Sequence, residues 1–261
     1  MIYTYKIKQA VQLATEAHEI NQKQKRKGKD IAYITHPLTV GLLLSQAGAG
    51  EDVVAAGILH DTIEDSTPEH KITRETLAKR FGEEVALLID SVTEKNKGLS
   101  WEERKAEALG HIAHFSNDSL LLKSADIISN VSEILDDYKK DGDKVFTRFN
   151  APKERIIQNY LQTIRAIVGR WPESPLAGDI TFLAGQLQMV GAPYFMANSG
   201  AKIIEYRDHD ENKELECPVC GWSGIASVNC DSEYAADASC PICGKMLLVL
   251  SFPITHPDKP E

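Results

Sequence analysis

Four residues that could bind a metal ion or transfer protons lie within the eight-residue segment "ILHDTIED", residues 58–65. A helix turns by about 100° per residue, so the four polar side chains share one arc of roughly 140°. An amphipathic helix with a solvated face would explain such an arc. However, Val53, Val54 and Gly57 project onto the same arc one or two turns earlier, which favours a cleft. Carboxylates in a cleft need partners, and a divalent cation would be one.

Further candidate ligands lie outside this segment. "YITHP" contributes His36, and "LLKSADIISN" contributes Asp126 on another predicted helix. Together with His60 and Asp61, they would form a site of two nitrogen and two oxygen ligands. That donor set suits a borderline divalent metal such as manganese and leaves coordination positions for water and substrate.

Two Cys-x-x-Cys pairs near the C-terminal end form a second, independent metal motif. "CPVCGW" and "CPICGK" have 19 residues between their cysteine pairs, which is the spacing of a zinc ribbon. Four thiolates make a closed structural site, and two knuckles around one zinc need little hydrophobic core. Fortuitous buried cysteines are the alternative, and Cys230 is expected to be a spare thiol. The predicted zinc ligands are Cys217, Cys220, Cys240 and Cys243.

The elements that must position these residues are helices over the first two thirds of the chain. Apolar residues recur with a helical period almost to Trp171, and one predicted helix covers Asp52–Glu64 without a break. From Glu216 onward, Cys, Gly and Pro turns precede the strand-like "MLLVLSF". We therefore predict an all-α helical bundle with a small C-terminal β zinc-ribbon domain. The expected limits are 1–172 for the helical domain, 173–212 for a linker or poorly defined segment, and 213–253 for the ribbon.

Composition and charge argue against several classes of protein. The formal net charge is −9 and no long Lys/Arg block offsets it, so we do not expect a non-specific nucleic-acid binder. The ribbon segment is also acidic, which favours a protein partner or a structural cap over DNA. We recognise no signal peptide and no apolar run of the ~20 residues that span a membrane. Four of the five cysteines have metal-binding spacing, which indicates a reducing, cytoplasmic location.

Three of these segments together resemble a known family. "THP", "ILHDTIED" and "KSADIISN" occur in the order of the His, the HDxxED box and the Asp-x-x-x-Asn of RelA/SpoT-type HD-domain hydrolases. The small, hydrolase-only members, which include the animal SpoT homologues, are the most similar, and the likeness covers roughly residues 1–170. The resemblance implies an HD-domain helical bundle that uses manganese to remove the 3′-pyrophosphate from guanosine tetra- and pentaphosphate.

The resemblance also implies roles for individual residues. The family's acidic pair would orient water and move protons, and its Arg and Lys would neutralise phosphate groups. The matching positions are the metal ligands His36, His60, Asp61 and Asp126, the catalytic pair Glu64 and Asp65, and the substrate-binding residues Arg26, Lys27 and Asn130.

The chain departs from the family pattern just after Asn130. Family hydrolases often carry Arg where Ser132 stands, and long members can carry Thr where Glu133 stands. Because those positions line the family's nucleotide pocket, the substrate is the guanosine alarmone or another phosphorylated nucleotide such as NADPH. A different class of function is also open, namely a nucleotide-sensing or scaffold module whose ribbon holds a partner protein. The intact pair of Glu64 and Asp65 favours the enzyme.

Overall fold

A computed structural model describes residues 3–96, 98–199, 201–205, 208–229, 235–243 and 245–251. The chain divides into two compact units, Met1–Ile180 and Thr181–Glu261. The first unit is helical and the second contains small β-sheets, so the predicted fold class is confirmed. None of the described helices has both the length and the apolar character that crossing a membrane would require.

The first unit consists mainly of helices and the loops that join them. Its helix bounds are α1 Tyr5–Thr15, α2 Thr35–Gln46, α3 Glu51–Leu59, α4 Thr62–Asp65, α5 Arg74–Phe81, α6 Glu83–Val92, α7 Trp101–His111, α8 Asn117–Asp141, α9 Lys153–Arg170 and α10 Ala177–Ser199, of which α10 continues into the second unit. A π-helix, Glu16–Ile20, extends α1, and 3-10 turns at Ile112–His114 and Gly142–Arg148 follow α7 and α8.

Helix α3 is the centre of the first unit, since it packs against α1, α2, α6 and α8. Its apolar side chains are almost completely buried, which stabilises the bundle through the hydrophobic effect. The contact with α2 is close: a Cβ atom on Gly57 would lie 2.3 Å from Leu44 Cδ1, and one on Gly41 would lie 2.5 Å from Ile58 Cγ1. Glycine at both positions therefore lets the backbones approach. This approach brings the start of α2 beside the end of α3.

The prediction of one continuous helix over Asp52–Glu64 is wrong, because the helix breaks between α3 and α4. Asp61 has φ −92° and ψ −5°, in the sparsely populated bridge region. Near the break, His60 Nδ1 donates a hydrogen bond to the Gly57 carbonyl, and such side-chain bonds compete with the helical backbone ladder. His60 and Asp61 therefore lie in the turn between two short helices, and Glu64 and Asp65 lie in α4.

The second unit contains two sheets. Its strands are β1 Lys202–Glu205, β2 Leu215–Glu216, β3 Ser223–Gly224, β4 Val228–Asn229, β5 Ala235–Ser239 and β6 Met246–Ser251. The larger sheet has the order β1-β6-β5-β4, in which β1 runs parallel to β6 and the other pairs are antiparallel, while β2 and β3 form a small antiparallel ladder. The segment 173–212, expected to be a linker, thus contains α10 and β1. The predicted domain limits of 1–172 and 213–253 stay predictions.

Strand β6 has different environments on its two faces, as the period of two in a strand requires. Leu248 and Leu250 pack with Ala236 and Ala238 of β5 in one apolar cluster. Leu247, on the opposite face, packs with two of the predicted zinc ligands in a second cluster. The sheet therefore places its own core on one side and the cysteine cluster on the other.

Candidate functional site

Two buried histidines meet where the start of α2 lies beside the end of α3. The Nε2 atoms of His36 and His60 are 3.3 Å apart, and both side chains are buried. Each Nδ1 has another partner, Ser129 Oγ for His36 and the Gly57 carbonyl for His60, both at 2.8 Å. A carbonyl can only accept, so His60 Nδ1 carries the proton in the neutral ring and Nε2 presents its lone pair. That tautomer is the one needed for metal binding through Nε2.

Two carboxylates complete the cluster around the histidine nitrogens. Asp61 Oδ2 lies 3.2 Å from His60 Nε2 and 3.6 Å from His36 Nε2. Asp126 Oδ1, from α8, lies 3.4 Å from His36 Nε2 and 3.8 Å from His60 Nε2. Ligand atoms of His36, His60 and Asp126 all lie within 4.8 Å of one another. The structure therefore brings the four residues predicted as metal ligands to one place.

Hydrogen bonds hold both carboxylates in position. Tyr33 Oη donates to Asp61 Oδ2 at 2.5 Å. Lys123 Nζ donates to Asp126 Oδ2 at 2.8 Å, and Asn130 Nδ2 donates to Asp126 Oδ1 at 2.6 Å. The contacts of Lys123 and Asn130 follow from their spacing of three and four residues from Asp126 on one helix face. Tyr33 was missed by the sequence analysis because it lies in a loop, where no periodicity predicts its direction.

The charges of this cluster favour a cation between the four side chains. Burial by itself would lower the pKa of His60, but the carboxylate of Asp61, followed by that of Asp126, raises this pKa to about 9. In turn, although burial opposes it, His60 and His36 keep the pKa of Asp61 below its usual range. The electric field that stabilises a proton here would also stabilise a divalent ion. Two imidazole nitrogens and two carboxylate oxygens fit such an ion.

The predicted acidic pair, Glu64 and Asp65, lies in α4, one turn beyond His60 and Asp61. Both side chains line the cavity that the predicted metal ligands also line. Two glutamines of the loop after the π-helix hold Asp65: Gln24 Nε2 donates to its Oδ2 at 2.9 Å, and Gln22 Nε2 donates to its backbone carbonyl at 2.8 Å. The acidic pair is therefore next to the candidate metal centre, and the loop holds Asp65 on one side.

The two basic residues predicted to bind substrate have different environments. Arg26 donates from Nε to Glu133 Oε2 at 2.7 Å and from Nη2 to Asn130 Oδ1 at 2.8 Å, so it connects the basic loop to α8 at the edge of the cavity. Lys27 lines the cavity, with Nζ 5.3 Å from the centroid of the Phe149 ring. Partial burial, and then nearby cations, lower the pKa of Lys27. Lys27 is thus the member of the pair that can contact a ligand directly.

The cavity has a volume of about 390 Å³, and acidic, histidine, cationic and aromatic side chains line it together with apolar and neutral polar ones. Next to the carboxylates and histidines are aromatic side chains, on which a nucleobase could stack. The cations are Lys27, Arg104, Lys105 and Lys123, and the aromatic residues are Tyr33, Trp101, Phe149 and Tyr160.

Arg104 and Lys105 also line the cavity, although the sequence did not identify them as site residues. A capping box formed by Ser100 and Glu103 begins α7, so the helix itself was predictable. The charged residues of α7 extend around much of its circumference, however, and the sequence does not indicate which of them face the cavity. In the structure, both cations pair with Glu94, which also lines the cavity.

The four predicted zinc ligands also come together, in the second unit. The sulfur atoms of Cys217, Cys220, Cys240 and Cys243 lie within 4.8 Å of one another. Two of the Sγ–Sγ distances, Cys217 to Cys243 and Cys220 to Cys240, are 3.5 Å. A disulfide requires about 2.05 Å, whereas ligands of a tetrahedral zinc with ~2.3 Å bonds lie about 3.8 Å apart. The cluster therefore has the dimensions of a four-thiolate metal site.

Backbone geometry around the first knuckle also suits a metal. The Cys217 N–H donates to the Trp222 carbonyl and the Gly221 N–H donates to the Cys217 carbonyl, which closes a tight turn. Gly221 has φ +72°, a value that favours glycine, and this explains the Gly after the second cysteine. Although burial opposes it, the N–H groups of Cys220 and Val219 lower the pKa of the Cys217 thiol, which favours the thiolate. Cys230, the expected spare thiol, lies outside the described residues.

Comparison with known protein families and sequences gives a consistent result. The HD domain family matches residues 10–153, more than half of the chain. A guanosine-3′,5′-bis(diphosphate) 3′-pyrophosphohydrolase of Xenopus tropicalis is 34% identical over 130 residues, which are 49% of this chain and 69% of that protein. The enzyme of the same name from Aquifex aeolicus is 34% identical over 131 residues, 49% of this chain but only 18% of that protein.

Two solved structures share the fold of the helical unit. A protein of Listeria monocytogenes is 30% identical, with a TM-score of 0.53 over 59% of this chain and 97% of that one. The other, described as a metazoan ortholog of SpoT that hydrolyses ppGpp, is 25% identical, with a TM-score of 0.53 over 73% of this chain and 96% of that one. The resemblance inferred from three sequence motifs is thereby confirmed.

Proposed function

Because the chain belongs to the HD domain family, we propose that it is a manganese-dependent phosphohydrolase that removes the 3′-diphosphate group of guanosine 3′,5′-bis(diphosphate). One observation carries this proposal: the ligand cluster, the acidic pair and four cationic side chains line a single cavity of about 390 Å³. A nucleotide with two diphosphate groups needs a metal, a proton acceptor and several cations. The names of the similar enzymes from Xenopus tropicalis and Aquifex aeolicus support this choice of substrate.

The metal site of the proposal consists of His36, His60, Asp61 and Asp126. Mixed nitrogen and oxygen ligands suit manganese. When bound, the ion supplies Lewis-acid chemistry, because it polarises a phosphoryl oxygen and lowers the pKa of water. Tyr33 keeps the Asp61 carboxylate oriented through its 2.5 Å hydrogen bond, so the site needs little rearrangement when it is loaded.

Glu64 and Asp65 provide the proton acceptor in the proposed reaction. The oxygen of a water molecule bonds to the phosphorus attached to the ribose 3′-oxygen, and the bond between that phosphorus and the 3′-oxygen breaks. The acidic pair takes a proton from the water and returns it to the leaving 3′-oxygen. The products are pyrophosphate and guanosine 5′-diphosphate. A carboxylate within one helical turn of the ligands is well placed for this transfer.

Substrate binding is assigned to Arg26, Lys27 and Asn130, together with other cations of the cavity. Lys27 neutralises a phosphate directly, and Arg104 and Lys105 add two cations on the α7 side. Asn130 lines the cavity while it holds Asp126. Arg26 supports the binding site indirectly: it donates a hydrogen bond to Asn130, and its Cζ atom lies 5.4 Å from the centroid of the Tyr33 ring.

A nucleotide panel tests the proposed function. We expect the manganese-loaded protein to release pyrophosphate from guanosine 3′,5′-bis(diphosphate), and we would identify both products by ion-exchange chromatography. The panel should include guanosine 5′-diphosphate, which lacks the 3′-group, and NADPH. If the protein releases inorganic phosphate from NADPH and hydrolyses no other nucleotide of the panel, NADPH replaces guanosine 3′,5′-bis(diphosphate) as the proposed substrate. Binding without turnover of any nucleotide would favour the sensing or scaffold module.

Replacing Lys27 is expected to weaken substrate binding with little effect at saturation. We predict that Lys27→Ala raises KM about tenfold, which corresponds to ~1.4 kcal/mol, and leaves kcat within about twofold. Lys25→Ala is the matched control, because Lys25 lies in the same loop but pairs with the exposed Asp30. Steady-state kinetics measure both variants. Equal KM values for the Lys27 and Lys25 variants would contradict a direct phosphate contact.

For the second unit, we propose a structural zinc ion at the four cysteines and a protein partner for the ribbon. The closed four-thiolate set is typical of structural zinc. Val219 and Ile242, the third residues of the two Cys-Pro-x-Cys knuckles, are 66% and 71% exposed, and in this proposal they are the apolar side chains that contact the partner. Free thiolates of this kind persist in a reducing compartment, so we propose that the protein works in the cytoplasm.

Metal analysis is expected to find one zinc per chain and to separate the two sites. A thiolate cage holds zinc more tightly than an open His/Asp site holds manganese, so a mild chelator should remove manganese and activity before it removes zinc. Cys240→Ser should lose the zinc, whereas the control Cys230→Ser should retain it. Inductively coupled plasma mass spectrometry gives both stoichiometries. Fresh protein without zinc would overturn the ribbon assignment.

A further inference from the structure

A third histidine, His18, lies in the π-helix Glu16–Ile20 and takes no part in the proposed reaction. Its side chain is fully buried, and no residue that the structure describes forms a hydrogen bond with its Nε2 atom. Its ring packs against Tyr33, with 5.1 Å between the centroids. A π-helix is rare and occurs often at functional sites. A buried polar atom without a partner also calls for an explanation.

The other nitrogen of His18 begins a chain of hydrogen bonds to the acidic pair. His18 Nδ1 lies 2.8 Å from Gln24 Oε1, and Gln24 Nε2 donates to Asp65 Oδ2 at 2.9 Å. The ionised carboxylate of Asp65 can only accept, so the amide nitrogen of Gln24 must face it and the amide oxygen must face His18. His18 Nδ1 is therefore the donor. The neutral ring then carries no proton on Nε2, which agrees with the absence of an acceptor there.

The backbone reinforces this arrangement. The Gln24 N–H donates to the His18 carbonyl at 2.8 Å, so the two residues are connected through both main chain and side chain. Gln22, two positions earlier, donates from Nε2 to two backbone carbonyls, those of Ala17 and Asp65. Within this loop, Gln24 is thus the glutamine that contacts the Asp65 carboxylate, and His18 fixes which way its amide points.

We propose that His18 is a positioning residue that acts through Gln24 to fix the orientation of the Asp65 carboxylate. The inference rests on the proposed function, in which Asp65 belongs to the proton-accepting pair. Without the Nδ1 donor, the Gln24 amide can rotate and present its oxygen to the carboxylate, which repels it. Asp65 then loses its fixed position beside the metal ligands, and the chemical step slows while substrate binding is retained.

Two substitutions of His18 separate this role from simple core packing. The side-chain amide of Asn places a donor near the position of Nδ1, whereas Leu fills space without a donor. We expect His18→Leu to lower kcat by about 10-fold to 100-fold, with KM and manganese content unchanged, and His18→Asn to recover most of the rate. A His18→Leu variant that keeps wild-type kcat overturns the proposal, as does an Asn variant as slow as the Leu variant at equal melting temperature.

A second pair of variants avoids the core if His18→Leu does not fold. Gln24→Met removes the amide that contacts the Asp65 carboxylate, and Gln22→Met is the matched control in the same loop. We expect a larger loss of kcat for Gln24→Met than for Gln22→Met, because Gln22 contacts Asp65 through its backbone carbonyl and Gln24 contacts the carboxylate. Equal loss of kcat in both variants would mean that the loop acts only as a structural support, which contradicts the proposal.

The tautomer of His18 tests the hydrogen-bond chain without any turnover. In ¹⁵N-histidine-labelled protein, with His18→Asn used for assignment, we expect the proton on Nδ1 in the wild type. A proton on Nε2 overturns the proposal whether or not the protein is an enzyme. If the wild type hydrolyses no nucleotide while the Nδ1 proton is present, the proposed function fails and the His18–Gln24 arrangement stands.

Discussion

Asp61→Ala is expected to abolish both metal binding and hydrolysis. The substitution removes a proposed ligand whose Oδ2 lies 3.2 Å from His60 Nε2 and 3.6 Å from His36 Nε2. Loss of a direct ligand should weaken manganese binding by more than the ~100-fold that loss of an outer hydrogen-bond partner can cause. Activity should fall to the background rate. Titration calorimetry with manganese and the pyrophosphate-release assay measure the two effects.

Control variants make this result specific. Asp90→Ala removes a carboxylate from α6 that pairs with Lys95 at the surface, so it should change neither property. Tyr33→Phe removes the hydrogen bond to Asp61 but keeps the ligand, and its manganese affinity should fall by about 10-fold to 100-fold. An Asp61→Ala protein that binds manganese as tightly as the wild type would show that Asp61 is not a ligand.

Glu64→Gln and Asp65→Asn are expected to keep the metal and lose most of the rate. Both side chains line the cavity one turn beyond the proposed ligands. Their amides retain size but cannot accept a proton in the reaction, so kcat should fall by roughly 10²-fold to 10⁴-fold. Manganese content should remain at the wild-type level. Steady-state rates at saturating nucleotide, together with metal analysis, check the prediction.

The double variant reports whether the two carboxylates act as one unit. If they share the proton-transfer step, Glu64→Gln/Asp65→Asn should be no slower than the slower single variant, because groups that act together are strongly non-additive. Glu84→Gln, an exposed residue in the first turn of α6, provides the control. Wild-type rates in both single variants would remove the acidic pair from the mechanism.

The donor types of the metal centre were predictable from sequence because they depend on residue identity and on spacing within helices. Asp126 is three residues after Lys123 and four before Asn130, and both contacts occur in the structure. The break between α3 and α4 was not predictable. It depends on the bond between His60 and the Gly57 carbonyl, and a helical wheel assumes regular backbone bonds throughout.

Loop residues limited the rest of the prediction. Arg26 and Lys27 are adjacent and carry the same charge, yet Arg26 pairs with Glu133 while Lys27 lines the cavity. A loop has no helical or strand periodicity, so the sequence does not predict the different directions of these two side chains. Strands β1 and β6 are far apart in the sequence. The pairing of Lys202–Glu205 with β6 at the edge of the larger sheet was therefore not predictable from local sequence.

The two histidines of the metal centre are held by different kinds of partner group, and this affects how the site tolerates genetic change. His60 Nδ1 donates to the carbonyl of Gly57, a backbone group that every amino acid supplies. His36 Nδ1 bonds to the hydroxyl of Ser129, which a single codon change can delete. The backbone of α3 therefore fixes the orientation of the His60 ring, whereas the orientation of the His36 ring depends on one side chain. Serine and threonine place a hydroxyl on the same carbon, so a diverging lineage can hold either at position 129 and keep this bond.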